Sequence, residues 1–300
     1  MAEAEAIELV VPFPPGGITD MAAHAVAEFL SVRWGSRVVV KHVPGDGGSA
    51  GTLYTLNAAP DGRTMLMCAT GQATQNPALK RDLPYRWDQT TPVARVVASP
   101  LVLVVAGAAP WRTLRDFLTD IARNPGAYTY GTSGVGGIGG LAIARLLDAG
   151  GIAPMQVQRI VMHGGAGMLE AVMQGRTHFA VQYLAEMKEL LQAGRLKALA
   201  VSGDARVGLL PDVPTGREAG FDAFELMGWS GVAGPERLPA EIVEKWATGI
   251  RALTGDGPFR ARMESLGGAA AYLGPADFKA ALGAEYATAL RFAEKLGLRR

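Results

Sequence analysis

VVPFPPGGITDMAAHAVAEF, from Val10 to Phe29, is the stretch from which the rest of the chain can be read. The apolar run Ile7 to Val11, broken only by Glu8, predicts a buried strand. Pro12, Pro14 and Pro15 cannot continue a sheet, and Gly16 and Gly17 allow backbone angles that other residues avoid. Beyond them Met21, Ala25, Val26 and Phe29 recur at helical spacing, with Thr19 or Asp20 as the expected cap. The result is a strand, a tight turn and a helix whose first amide groups face open space. Free N–H groups and the helix dipole together attract negative charge to such a start. Read alone, Pro-Pro-Gly-Gly is better explained as a plain turn, and only the rest of the chain changes that balance.

The same arrangement returns along the chain. Arg37 to Val40 predicts a second strand, followed by Gly45, Gly47, Gly48 and Gly51 before a helix expected over 53–59. A third strand over 64–70 ends at Thr70, Gly71 and Gln72. A strand-like run over 92–106 leads to a helix over 111–122, opened by Thr113 or Asp116. Tyr128 to Gly131 reads as a strand, with Thr132, Ser133 and a run of glycines before a helix over 141–147. Another strand over 157–162 leads through His163, Gly164 and Gly165 to a helix over 168–174. Strands over 178–183 and 196–202 flank a helix over 187–194, and 227–234 reads as a return strand. Three amphipathic helices follow, expected to cover the first domain. In parallel α/β sheets ligands sit beyond the carboxyl ends of the strands, where these glycine loops fall. The expected division is 1–102 plus 228–300 as one domain and 103–227 as the other. Hinge strands near 99–106 and 226–234 would let the two open and close.

Composition excludes several function classes. Three hundred residues suggest two domains, and a net charge of +1 gives no argument for nucleic acid or an anionic membrane surface. The single cysteine, Cys68, lies in an apolar run, so it reads as a buried inert thiol and no intrachain disulfide is possible. Met1 to Val11 carries acidic residues and no long apolar stretch, so neither a signal peptide nor a membrane insertion is read there; a leader already removed would leave the same pattern. GVGGIG at Gly134 to Gly139 matches a dinucleotide fingerprint. The next strand, however, ends Val161-Met162-His163-Gly164 without the carboxylate that ribose binding needs, so no cofactor is expected. His24, His42, His163 and His178 are scattered, with no paired cysteine, and no metal is expected. Ser133 lies in Thr-Ser-Gly, not in a nucleophile elbow. A meeting of Ser133 with His163 keeps open an α/β hydrolase- or transferase-type enzyme, though a cap or a ligand hydrogen bond explains Ser133 better. Asp20 reads better as a loop brace than as a general base, and Trp87 and Trp229 as packed aromatics.

VPFPPGGITD, VPGDGGSAGT, AAPDGRT, LPYRWDQTTPVA, NPGAYTYGTSGVGG, KALAVSGDAR and LPDVPTGREAGF follow one another in a familiar order. From Ile7 to about Gly297 the chain resembles the solute receptors of the tripartite tricarboxylate transporters, the Bug or TctC-like periplasmic binding proteins. The resemblance implies a two-domain α/β fold of the type II Venus-flytrap kind, with mixed, mostly parallel sheets and a cleft between domains. It implies a periplasmic, monomeric receptor and not an enzyme. The ligand would be a small organic acid, a mono- or dicarboxylate, aromatic ones included, delivered to the membrane components of the transporter. Main-chain amides, small hydroxyls and ordered waters would hold it, without an arginine clamp. The positions that match are Pro15, Gly16, Gly17, Thr19 and Asp20 in the first loop, with Gly47 and Gly48 in the second. Thr70, Gly71 and Gln72 match the third, Thr132, Ser133, Gly136 and Gly137 the fourth, and His163, Gly164, Gly165 and Ala166 the fifth. Departures from the pattern are Lys41-His42 for Glu-Asn, His24 for Arg and His178 for Asp. Gly134 to Gly140 also stands where the pattern has a serine and a histidine. Gly137 to Gly140 are therefore expected to leave room for a larger carboxylate.

Overall fold

The computed structural model describes residues 6–132, 138–162 and 164–299. The chain forms β1 (Ile7–Val11), α1 (Ile18–Trp34), β2 (Val38–His42), α2 (Ser49–Leu56), β3 (Thr64–Ala69), α3 (Asn76–Leu79) and β4 (Thr91–Ala106). It continues with α4 (Leu114–Arg123), β5 (Thr129–Thr132), α5 (Ile138–Ala149), β6 (Gln158–Val161), α6 (Gly164–Met173), β7 (Phe179–Tyr183), α7 (Lys188–Gln192) and β8 (Leu196–Val201). β9 (Met227–Gly234), α8 (Ala240–Gly255), α9 (Gly257–Ser265), β10 (Ala269–Leu273) and α10 (Pro275–Lys295) complete it. Two compact units result, one from 6–98 with 229–290 and the other from 99–228 with 291–299. The end of α10 departs from the expected division, which placed all of 228–300 in one domain. Its Phe292 ring lies 4.6 Å from the Arg145 guanidinium, and Lys295 pairs with Asp148 at 2.6 Å.

In the first unit β1 runs parallel to both β2 and β3, with Ile7 opposite Val38 and Glu8 opposite Thr64. β9 joins β3 antiparallel, Leu66 opposite Ala233, and β10 joins β4 antiparallel, Ala269 opposite Ala98. Leu9 and Val11 face a core made with Val26 and Leu30 of α1 and Trp246 and Ile250 of α8. Val10 points the other way, toward Leu66, Cys68, Trp229 and the α10 residues Phe278 and Leu282. A strand covered by helices on both faces must be apolar throughout, which is why Leu9-Val10-Val11 is an unbroken run. Each such side chain, fully buried, contributes about 1.5–3 kcal/mol.

The second unit repeats the plan. β5 is parallel to β6 and β7, while β4 is antiparallel to β7 and β8. Leu101, Leu103 and Val105 face Phe117 of α4, Ile143 and Leu146 of α5, and Phe179. The alternate residues Val102 and Val104 face Met168, Leu169 and Val172 of α6. Both expected openers of α4 act: the Thr113 hydroxyl accepts from the Asp116 N–H at 3.1 Å and the Asp116 carboxylate accepts from the Thr113 N–H at 3.2 Å.

Several element expectations are corrected. β10 is a strand where only helices were expected. α2 and α6 begin at Ser49 and Gly164, each four residues before the expected start. Neither Thr19 nor Asp20 caps α1; Gly17 is its N-cap, with no side-chain cap bond. Among the described residues no helix is long and apolar enough to cross a membrane.

Candidate functional site

Because β1, β2 and β3 are parallel, the loops that follow them emerge at one edge of the first unit. β5, β6 and β7 do the same in the second. The expected site residues fall on these two edges. Ser133, Gly136, Gly137 and His163 lie outside the described residues.

In the first unit, Pro15 and Gly16 form the exposed crest of the turn, with Gly16 at φ +99°. A Cβ there would meet nothing within 4 Å, so the conformation and not crowding calls for glycine. Gly17 then opens a 17-residue helix without a side-chain cap, leaving the first N–H groups of α1 to external acceptors. The Asp20 carboxylate folds back, and its Oδ2 accepts from the Gly16 N–H at 2.8 Å. Thr19 is buried, its hydroxyl 2.8 Å from that of Ser230.

The second loop packs directly on the first. A Cβ on Gly48 would lie 2.9 Å from the Gln72 Cβ and 3.2 Å from the Phe13 ring, too close for any side chain. The Asn76 amide donates to the Gly47 carbonyl at 3.0 Å, tying this loop to the third. In the third loop Thr70 is fully buried and its hydroxyl accepts from the Trp229 N–H at 2.9 Å. Gly71 faces open space, whereas Gln72 is buried, with its side-chain carbonyl accepting from the Ala69 N–H at 3.0 Å. Thr70 and Gln72 thus shape the loop from inside, and Gly71 is the member that presents backbone outward. Trp229 packs edge-on to Phe278 at 5.1 Å and donates to half-buried Glu285 at 2.6 Å; Trp87 stacks on Tyr286 at 5.4 Å. Burial pushes the Glu285 carboxyl up from its ordinary value.

In the second unit Thr132 ends β5 with a buried hydroxyl that has no partner among the described residues. The glycines that follow are only partly a matter of ligand room. A Cβ on Gly139 would overlap the Val181 carbonyl, and one on Gly140 would lie 3.3 Å from the Thr132 methyl. Close seating of α5 on β7 and β5 therefore accounts for both, and the expected extra space cannot come from them. Gly164 at φ +73°, Gly165 and Ala166 form the first turn of α6. Gly164 is open, but a Cβ on Gly165 would overlap Glu186 Oε2 and lie 2.6 Å from Gln182 Nε2. Burial pushes the Glu186 carboxyl up to about 7. Neither Glu186 nor Gln182 was expected from the sequence. Gln182 is the penultimate residue of β7 and Glu186 follows the strand's carboxyl end, and only the position of that strand marks them.

Two of the four histidines are not scattered. His42 Nε2 stands 2.7 Å and His24 Nε2 3.4 Å from Asp20 Oδ1. His178 is instead held in the fold, its Nδ1 accepting from the Thr129 N–H at 3.0 Å. Cys68 is buried, its thiol pushed up to about 12 by desolvation and donating to the Gly231 carbonyl. It is an inert core thiol.

Each edge thus presents backbone amides, at the start of α1 in the first unit and of α6 in the second, and either helix start suits an anion. Comparison with known proteins agrees. The chain is 32% identical over 241 residues to a UPF0065 protein from the tcbD-tcbE intergenic region of Pseudomonas sp. (strain P51), covering 80% of this chain and 70% of that one. It is similar to the structure of an R. palustris protein solved with adipate, at 29% identity, TM-score 0.89 and 97% coverage of both chains. It is also similar to the periplasmic binding protein BugD, at 26% identity, TM-score 0.87 and 98% coverage of both. The family model described as the tripartite tricarboxylate transporter family receptor, TctC, matches residues 22–274. The chain belongs to the TctC family of tripartite tricarboxylate transporter receptors.

Proposed function

We propose that this protein is a periplasmic receptor that captures a small organic dicarboxylate and passes it, chemically unchanged, to the membrane components of a tripartite tricarboxylate transporter. The observation that carries the reading is the start of α1, where Gly16 and Gly17 leave the first amides of a long helix uncapped. Such a start favours a carboxylate without a cationic side chain. The first turn of α6, Gly164 to Ala166, offers a second set of donors in the other unit. The similar R. palustris protein was solved with a ligand that has two acidic ends, adipate, which supports a dicarboxylate here. The amides of Gly17, Gly71, Gly164, Gly165 and Ala166 are the direct donors in this reading, while Asp20, which engages the Gly16 amide, and Thr70, Gln72 and Gly48 hold the loops that carry them. Family membership sets aside the enzyme alternative built on Ser133.

The test is a thermal-shift screen against mono-, di- and tricarboxylates, aliphatic and aromatic, adipate included, with NAD as control. A ligand at about 100 times its dissociation constant stabilises by ~2.7 kcal/mol, which moves a melting point by several degrees. The expected result is stabilisation by a dicarboxylate recovered intact by mass spectrometry. Stabilisation by NAD alone, or recovery of a converted product, overturns the reading.

A further inference from the structure

We propose that Asp20, His24 and His42 form a binding site for a divalent transition-metal ion of the zinc class. Asp20 and His24 lie one turn apart on α1, so their side chains rise from the same face of the helix. His42 is the last residue of β2 and lies beside Val11 in the parallel register, directly ahead of the turn that Asp20 braces. Both imidazoles aim Nε2 at one carboxylate oxygen, Asp20 Oδ1, at 2.7 Å from His42 and 3.4 Å from His24. One ligand atom from each residue falls within 4.8 Å of the other two.

Two imidazoles and a carboxylate are a donor set for zinc, nickel or copper and a poor one for magnesium or calcium, which prefer oxygen ligands. In a tetrahedral site with bonds of about 2.0–2.1 Å, neighbouring donor atoms stand roughly 3.3 Å apart. The Asp20–His24 separation of 3.4 Å already has that value. His42 needs only to back away from its 2.7 Å hydrogen bond, by about half an ångström, for an ion to enter. The other carboxylate oxygen, Oδ2, is fixed by the Gly16 N–H at 2.8 Å, which aims Oδ1 at the two rings. The His24 side chain is 56% exposed, which gives an ion its way in, while the Asp20 side chain is 9% exposed, which limits competition from water. Three protein donors leave the fourth position to water. Both histidines stand where the sequence departs from the pattern it resembles, which has arginine and asparagine there. The site bears on the receptor reading through one bond only: the carboxylate that would hold the ion also holds Gly16.

The experiment uses the full untagged chain, stripped of metal by chelation and titrated with Zn²⁺ by calorimetry and with Co²⁺ by visible absorption. One equivalent of Zn²⁺ is expected to bind. Co²⁺ is expected to give the intense bands of a four-coordinate ion. His24→Arg keeps a long polar side chain beside Asp20 but cannot ligate, and it is expected to weaken Zn²⁺ binding by at least roughly tenfold, as is His42→Gln. His178→Ala is expected to leave binding unchanged. Unaltered melting curves for the metal-free variants show that they remain folded. No stoichiometric uptake by the parent chain, or full uptake by the His24→Arg/His42→Gln double variant, overturns the proposal. Neither readout uses a carboxylate ligand, so failure here and failure of the receptor reading are told apart.

Discussion

Replacing Glu186 by glutamine tests the electrostatics of the second unit most directly. Burial raises this carboxyl from an ordinary 4.5 to about 7, and Gly165 and Gln182 crowd it. Below pH 4.5 the group carries its proton whether the chain is folded or not, so it costs nothing. As the pH rises through 7 the folded chain must hold a buried negative charge that the unfolded chain leaves in water. The stabilisation is therefore present at low pH and lost with rising pH. The gap from 4.5 to about 7, at ~1.4 kcal/mol per tenfold, is on the order of 3 kcal/mol. Glutamine has the same shape and no titration. Chemical and thermal unfolding of both proteins at pH 5 and pH 8.5 reads the effect. At pH 5 the two are expected to be close, and at pH 8.5 the variant is expected to be more stable, with a melting temperature several degrees higher. Parallel pH profiles for the two proteins refute the reasoning, as does a variant that is the weaker one at pH 8.5. The same charge bears on the proposed function. An anion at the start of α6 places a second negative charge near Glu186, so capture is expected to take up a proton and to weaken above pH 7. Calorimetry in buffers of different ionisation enthalpy counts that proton, and Glu186→Gln is expected to abolish its uptake.

Gly165→Ala puts a methyl group where Glu186 Oε2 sits; the atoms it meets are the ends of flexible side chains that can turn aside, so unfolding free energy is expected to change by no more than about 1 kcal/mol. The substitution is also expected to weaken the carboxylate response, whereas Gly167→Ala, whose Cβ meets nothing within 4 Å, is expected to leave stability within about 0.5 kcal/mol. Cys68, buried with its thiol pushed up to about 12, is expected to resist a thiol reagent at pH 8 in the native protein and to react at once in denaturant; rapid native labelling contradicts the packing described.

The parallel strands were legible because burial on both faces demands unbroken apolar runs, and Leu9-Val10-Val11 and Met65-Leu66-Met67-Cys68 have nothing else to be. β10 was not, since Ala269-Ala270-Ala271 has helical preference and little β-branching. It becomes a strand only because β4 offers it an edge to pair with. The early starts of α2 and α6 were missed for a related reason. Ser49, Gly51, Gly164 and Gly165 are poor helix formers, and tertiary packing overrides that preference. The placement of the glycine loops after the parallel strands could be read, but their inner support could not. Asp20 meets His42 across 22 positions, and Thr74 and Trp229 meet at Glu285 across far longer separations. Glu186 stands among apolar neighbours, Leu184, Ala185 and Met187, but a charged residue beside them ordinarily faces water. Contacts made through the fold leave no local pattern.

The order in which the strands are made has a consequence for the nascent chain. β3 is complete by Ala69, yet its antiparallel neighbour β9 begins at Met227, more than 150 positions later. Until β9 is available, the edge of β3 carries unpaired amides and carbonyls beside a strongly apolar face, a template for wrong pairing. The second unit waits as well, since Phe292 and Lys295, which cover Arg145 and Asp148, come at the very end of α10. Neither half can finish its own packing while it is being synthesised. Between Ala69 and β9 the chain depends on staying unpaired, so a holding chaperone at that stage is expected to raise the yield of folded protein more than any later help with refolding.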